Sequence, residues 1–284
     1  MIADDVLKIL SSKNMYAKKH FGQNFLVDKN VLKKIVEISS ITKEDTVIEI
    51  GPGMGCLTEF LCLNAKKVIC YEIDNDMVKI LEENLLTKYD NVKVINNDFL
   101  KESLEDYNNE ELCQNVKVVA NLPYYITTPI IFKLLSETKI QQFTFMVQKE
   151  VGDRLTGKPS TKDYNALSVA MNFKTNSQLV CKVKPNSFYP APNVDSALLL
   201  VKTKQTDCSA NFEAKFLKFA QEIFSQRRKT VVNNLNGKYG LNKTELNDLL
   251  IKNDININLR AETMTVAEII DLYNIVVGTS EGKR

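Results

Sequence analysis

Asn121-Leu122-Pro123-Tyr124 and, about seventy residues before it, Glu49-Ile50-Gly51-Pro52-Gly53-Met54-Gly55 are the stretches of this 284-residue chain whose residue types and spacing can do chemistry. A loop this rich in glycine lets the backbone approach a nucleotide-like cofactor closely. The tetrapeptide can hold a planar amino group against it, because the Asn121 side-chain oxygen and the Leu122 backbone carbonyl can each accept one N–H bond. An exocyclic adenine amine delocalises its lone pair into the ring and is a poor nucleophile. Two such acceptors would localise that pair and aim it at a methyl donor. Pro123 stiffens the turn and biases Leu122 away from helix, and Tyr124 can stack on the base for roughly 1–3 kcal/mol. Alone, the tetrapeptide reads more readily as a strand-ending turn. With the glycine loop at this remove, methyl transfer to an adenine amine becomes the better reading.

The loop spacing discriminates between cofactors. A dinucleotide fingerprint requires Gly-x-Gly-x-x-Gly, and its last glycine would fall on Cys56. Here the run is Gly-x-Gly-x-Gly preceded by Glu49, which suits S-adenosylmethionine: there is no pyrophosphate to cradle, and a carboxylate near the strand end can face a cationic cofactor. Glu72, about twenty residues on, ends the next strand where an acid can take both ribose hydroxyls. Asp98, in Asn96-Asn97-Asp98-Phe99, is placed to accept from the cofactor's adenine amine. Either acid could instead be a helix cap.

Positioning these residues requires strands that end together. From Thr46 the pattern is strand then helix, repeated: strands at 46–50, 67–72, 92–95, 116–121 and 143–148, with helices reaching Ala65 and spanning 76–86 and 129–136. Short apolar strands alternating with amphipathic helices predict a doubly wound α/β domain, a mostly parallel sheet covered on both faces. Its ligands belong at the C-terminal strand ends. Upstream, Asp28 is placed to cap a helix with Val31, Leu32, Ile35, Val36 and Ile38 on its apolar face. After Lys149 a helix at 164–173 precedes strands at 178–183 and 197–203, an antiparallel extension at one sheet edge, with 185–192 as a loop. From Asn211 onward the pattern is helical. We therefore expect a Rossmann-like domain over residues 1–204, including a basic N-terminal arm, and a small all-α domain over 205–284 whose last residues fray.

Hydrophobic content of 44% and charged content of 25% are ordinary for a globular protein, and the net charge of +2 hides its distribution. Between Lys174 and Lys238 there are eleven Lys or Arg against four acids, and Lys13, Lys18, Lys19, Lys29, Lys33 and Lys34 face only Asp28. These regions can form a footprint for a polyanion, or simply solvate the surface. The six cysteines form no Cys-x-x-Cys and His20 is the sole histidine, which disfavours structural zinc and a zinc deaminase; no metal is expected. Asp4 and Asp5 stand where a secretory signal would be basic, and no apolar run approaches the ~18 residues of a membrane span. A cytoplasmic protein without membrane contact is expected.

Beyond the two leading motifs, the chain carries Phe21-Gly22-Gln23-Asn24-Phe25-Leu26, Met146-Val147-Gln148-Lys149-Glu150-Val151, Phe188-Tyr189-Pro190-Ala191-Pro192-Asn193-Val194-Asp195-Ser196, Arg227-Arg228-Lys229-Thr230 and Arg260-Ala261-Glu262. This ordered set resembles the ribosomal RNA adenine N6-dimethyltransferases, specifically the small-subunit branch, from about Tyr16 to Tyr273. The resemblance implies S-adenosylmethionine as cofactor, with S-adenosylhomocysteine as product. Asn24, Leu26, Gly51, Gly53, Glu72, Asp98 and Asn121 would surround it. Phe188 would stack on the extruded adenine opposite Tyr124, although a core aromatic under a Pro-rich loop is an equal reading of Phe188. Lys18, Lys19, Arg227, Arg228 and Lys229 would contact RNA. The implied reaction is two methyl transfers to each of two adjacent adenosines in a hairpin loop near the 3′ end of small-subunit (16S) rRNA, by a monomer acting on a preassembled subunit, with a role in its biogenesis. The alternatives are a large-subunit (23S) adenine methyltransferase of the macrolide-resistance type and a non-catalytic assembly or nucleic-acid-binding factor. A DNA adenine methyltransferase is disfavoured because no target-recognition domain is evident.

Overall fold

The computed structural model describes Lys8 and residues 23–103, 115–123, 126–137, 140–204 and 208–281. The basic arm with Lys18 and Lys19, and Tyr124 of the tetrapeptide, lie outside the described residues. The chain divides into two compact units, Met1–Gly152 with Ser177–Lys204, and Asp153–Asn176 with Gln205–Arg284. The last residue of the first unit is Lys204. The second unit also takes in the excursion 153–176, which no composition shift marks.

From residue 23 onward the first unit contains β1 (Phe25–Leu26) and α1 (Lys29–Ile38). Asp28 caps α1 as expected: its Oδ1 accepts from Asn30 N at 2.9 Å and Val31 N at 3.4 Å. Then follow β2 (Asp45–Ile50), α2 (Cys56–Asn64), β3 (Lys67–Tyr71), α3 (Asn75–Leu81) extended by a π turn at Glu82–Leu86, and β4 (Val92–Ile95). The sheet continues through β5 (Asn115–Asn121), α4 (Thr127–Ser136) and β6 (Ile140–Gln148). Helix α5 (Lys149–Leu155) leads into the second unit, where α6 (Ala166–Lys174) lies. The remaining strands are β7 (Thr175–Val183), β8 (Phe188–Tyr189) and β9 (Ser196–Thr203).

Seven strands form one sheet in the order β4-β3-β2-β5-β6-β9-β7. The contacts β3·β4, β2·β3, β2·β5 and β5·β6 are parallel, and β6·β9 is antiparallel, as the edge extension predicted. The order reverses between β2 and β5, so the crevice of a doubly wound sheet opens there. Register fixes what faces it. Glu49 is level with Val119, which brings Gly51 opposite Asn121. Strand β2 is buried along its whole length, including Asp45, whose Oδ2 takes the Lys117 ammonium at 2.9 Å and the Thr42 backbone N–H at 2.6 Å.

Two local expectations need correction, and one helix had none. The 185–192 stretch is not all loop: Pro185–Ser187 makes a 3₁₀ turn and β8 pairs antiparallel with β1, Phe25 against Tyr189 and Leu26 against Phe188. A two-residue strand is too short to leave a periodicity. Helix α4 starts at Thr127, because Pro129 sits in the first turn, where its missing N–H has no intrahelical partner to lose. Helix α5 was not anticipated, since Gly152 dilutes its propensity. At Gly152 a Cβ would come within 2.7 Å of the Leu179 side chain, which would have to shift to admit it.

The second unit is helical: α6 joins α7 (Ala210–Ile223), α8 (Val231–Leu235), α9 (Lys243–Lys252) and α10 (Val266–Glu281). Phe216, Phe219 and Ile223 of α7 are buried at helical spacing, with Leu246, Leu250, Ile269 and Leu272 from the other helices. Tyr273 meets Phe212 edge-on at 5.3 Å and Phe219 at 5.5 Å, which knits α10 to α7.

Candidate active site

A single cavity collects the ends of β2, β3, β4 and β5 beneath the segment 23–26. Residues 49–54, 71–73, 97–99 and 121–123 line it. Of the expected cofactor residues, Asn24, Leu26, Gly51, Gly53, Glu72, Asp98 and Asn121 all contribute to this lining, as do Leu122 and Pro123. Residues far apart in sequence thus meet because four parallel strands terminate at one sheet edge.

The glycine loop is held by its neighbours. Gly53 has φ +57°, and a Cβ there would stand 3.0 Å from the Phe25 ring of β1. Gly55 has φ +84° at the start of α2, and a Cβ would enter the Leu85 side chain at 2.7 Å. At Gly51 a Cβ would meet only Pro123, at 4.0 Å. The space between loop and tetrapeptide is therefore a cradle, and the donor set around it suits an adenosyl group better than a metal.

Glu72 ties the loop to β3. Its Oε2 accepts from Gly53 N at 3.0 Å and its Oε1 from Asp74 N at 2.9 Å. A carboxylate offers about four acceptor sites, so Glu72 can still take a hydroxyl donor. Burial raises its carboxyl above the usual range, and the backbone N–H groups of Asp74, Gly53 and Ile73 offset part of that. Asp98 caps the 3₁₀ turn Phe99–Lys101 by accepting from Leu100 N at 3.0 Å, so its capping role is real while it also faces the cavity.

Glu49 departs from expectation. It lines the cavity but is 1% exposed, and burial pushes its carboxyl up to about 8, with the nearby Glu72 charge adding to the shift. The Cys70 thiol donates to its Oε2 at 3.7 Å. At neutral pH it is mostly a protonated acid, not the standing anion that the sequence suggests.

Asn121 ends β5, and its Nδ2 donates to the Asn24 carbonyl at 2.9 Å. That bond leaves Oδ1 as the acceptor end of the side chain. The chain then turns tightly, with Pro123 O accepting from Ile126 N at 3.2 Å and from Thr127 Oγ1 at 3.3 Å. Asn24 is held in turn, since Gln23 Nε2 donates to Asp74 Oδ2 at 2.9 Å. Neither Gln23 nor Asp74 was singled out from sequence. The only signal was Asp74 as a helix cap two residues past Glu72.

Phe188 is not part of the cavity lining. It is 4% exposed and packs in the first unit's core with Phe25 and Leu26, while Tyr189 beside it is exposed. In the second unit, Arg227 Nε pairs with Glu262 Oε2 at 2.9 Å and its Nη2 donates to the Thr161 carbonyl at 3.4 Å. Two of the sequence motifs are thereby each other's partners. Arg228 and Lys229 are exposed. Among the described residues no cluster of His, Cys, Asp or Glu has metal-binding geometry, and no helix is long and apolar enough to cross a membrane.

The profile of the family described as ribosomal RNA adenine dimethylase matches residues 14–277. The chain is 44% identical over 276 residues to the ribosomal RNA small subunit methyltransferase A of Geobacillus sp. (strain WCH70), covering 94% of each. Among solved structures it is similar to a dimethyladenosine transferase from Plasmodium falciparum, with TM-score 0.76 and 27% identity over 90% of this chain and 98% of that one. It shares its fold with the 23S rRNA methyltransferase ErmE, at TM-score 0.69 and 24% identity over 89% and 99% of the two chains. With the strand-end cavity, the glycine cradle and the oriented Asn121 amide already in place, the extent of these matches makes this chain a member of the ribosomal RNA adenine dimethylase family.

Proposed function

We propose that this protein dimethylates the N6 amines of two adjacent adenosines in the 3′-terminal hairpin loop of 16S rRNA, acting as a monomer on the small ribosomal subunit in the cytoplasm during its biogenesis. The observation that carries this reading is the Asn121 amide, held by the Asn24 carbonyl at the rim of the cavity. S-adenosylmethionine, when bound, supplies an electrophilic methyl group. Glu72 would take the ribose hydroxyls and Asp98 the cofactor's adenine amine, with Gly51 and Gly53 giving the close approach and Asn24 and Leu26 closing over it.

Asn121 Oδ1 and the Leu122 carbonyl would accept the two N–H bonds of the target amine. That arrangement turns its lone pair out of the ring plane and toward the methyl group. The methylated nitrogen is strongly acidic, so its proton can pass to water, and no general base is required. Tyr124 and Phe188 would hold the extruded adenine from its two faces. Phe188 would have to be uncovered from its core position to do so. Lys18, Lys19, Arg227, Arg228 and Lys229 would anchor the RNA backbone, with residues 205–284 as the helical RNA-binding part. The 44% identity to a small-subunit enzyme, against 24% to ErmE, favours the small over the large subunit.

The test is transfer of labelled methyl from S-adenosylmethionine to unmethylated small subunits, large subunits and duplex DNA. Label recovered as N6,N6-dimethyladenosine only from the small subunit is the expected result. Label in the large subunit would refute the assignment, and binding without label would favour an assembly factor.

A further inference from the structure

Residues 23–28 form a strap that contacts Asp74, Asn121 and the 187–189 segment of the first unit. At one end, Gln23 bonds Asp74, and the Asn24 carbonyl holds the Asn121 amide. In the middle, β1 pairs with β8, Leu26 against Phe188. At the other end the pairing runs on: Val27 N donates to the Ser187 carbonyl at 2.9 Å, and the Ser187 hydroxyl donates to Asp28 Oδ2 at 3.0 Å. Asp28 cannot swing to follow Ser187, because its other oxygen caps α1.

We propose that Ser187 and Asp28 are positioning residues that couple the cofactor side of the cavity to the aromatic that meets the target base. This rests on the reading of Phe188 given above. Phe188 directly follows Ser187, which is 6% exposed and whose N–H is already bonded to the Lys184 carbonyl at 3.1 Å. Phe188 therefore cannot leave its core position without the 185–189 turn pulling on the strap. The strap carries the carbonyl that orients Asn121. A ligand packed under residues 24–26 stiffens that strap, so the cofactor pocket and the base clamp should favour each other's filled state. The bond from the Ser187 hydroxyl transmits this because it is a direct, part-buried contact between residues 159 apart in the chain.

The experiment measures the affinity of purified unmethylated small subunits for the protein with and without saturating S-adenosylhomocysteine. Linkage makes the resulting ratio the same from either ligand. We expect the wild type to bind subunits about tenfold more tightly with S-adenosylhomocysteine present, a usual size for such coupling. Ser187→Ala should bring that ratio close to one while its affinity for S-adenosylhomocysteine alone stays within about twofold. Ser187→Thr, which keeps the hydroxyl, should restore the ratio. Asp28→Ser retains one oxygen as the cap acceptor but has no second oxygen to take the Ser187 hydroxyl. It should lose coupling too, and combining it with Ser187→Ala should add nothing further, as expected for one shared path. An unchanged ratio in Ser187→Ala, or additive losses in the double variant, would overturn the proposal. So would an absence of coupling in the wild type. Failure of the Phe188 reading shows elsewhere: Phe188→Leu would then turn over like wild type while coupling still tracked Ser187.

Discussion

Replacing Glu49 by glutamine should stabilise the cofactor-free protein, increasingly so as pH rises. The Glu49 carboxyl moves from 4.5 in the unfolded chain to about 8 in the folded one because burial disfavours its charged form. Below pH 4.5 both states hold the proton and the group contributes nothing to pH dependence. Between 4.5 and 8 the unfolded chain has released a proton that the folded chain keeps, so stability falls by about 1.4 kcal/mol per pH unit. Above 8 both states are ionised and the loss is complete, at roughly 5 kcal/mol. Glutamine has nearly the same shape and never ionises. The variant should therefore gain roughly 3 kcal/mol over wild type at pH 7 and roughly 5 at pH 9, with little difference at pH 4.5. The Cys70 thiol, itself raised by burial, stays neutral and can still donate to the amide oxygen. Urea denaturation of both proteins at half-unit pH steps measures this, and the difference between the two cancels the titrating groups that do not feel the Glu49 charge. A wild-type-minus-variant difference that is flat from pH 5 to 9 would refute the buried, proton-bearing carboxyl. The same group bears on ligands: a sulfonium cation in the cavity favours ionised Glu49, whereas the neutral thioether of S-adenosylhomocysteine does not. Affinity for S-adenosylmethionine should accordingly rise between pH 6 and 8 more steeply than affinity for its product.

Asn121→Ala should cut turnover by two or more orders of magnitude while cofactor affinity falls far less, because the lost acceptor faces the target amine; unchanged methyl transfer would remove Asn121 from the mechanism. Gly55→Ala should destabilise the first unit by about 2–4 kcal/mol, since its methyl meets Leu85 at 2.7 Å and its φ of +84° disfavours a side chain; thermal unfolding measures it. Arg228→Ala and Lys229→Ala should each lower the salt slope of small-subunit binding by about one. Arg227→Ala should lower it less, as its guanidinium is already engaged by Glu262 and Thr161. Equal slopes in all three variants would contradict that division.

The amino-acid sequence by itself determined the alternation of strands and helices, because apolar periodicity reports which residues must be buried on a pleated or a helical surface. It also determined the order of the site residues, because a doubly wound sheet puts each strand-end residue at the same edge. Local chemistry was legible for the same reason: Asp28 as a cap and the glycine loop after β2 depend only on neighbours in the chain. What it did not determine depended on partners brought together from a distance. The neutral state of Glu49 comes from β2 being covered on both sides, which no spacing records. The orientation of Asn121 comes from a carbonyl 97 residues upstream, and the β1·β8 pairing from two dipeptides too short to show a period. The excursion 153–176 joins the helical unit because its apolar residues Tyr164, Val169 and Phe173 find their burial there. Hydrogen bonds and desolvation act through space, so their outcome is fixed only once the sheet has closed around them.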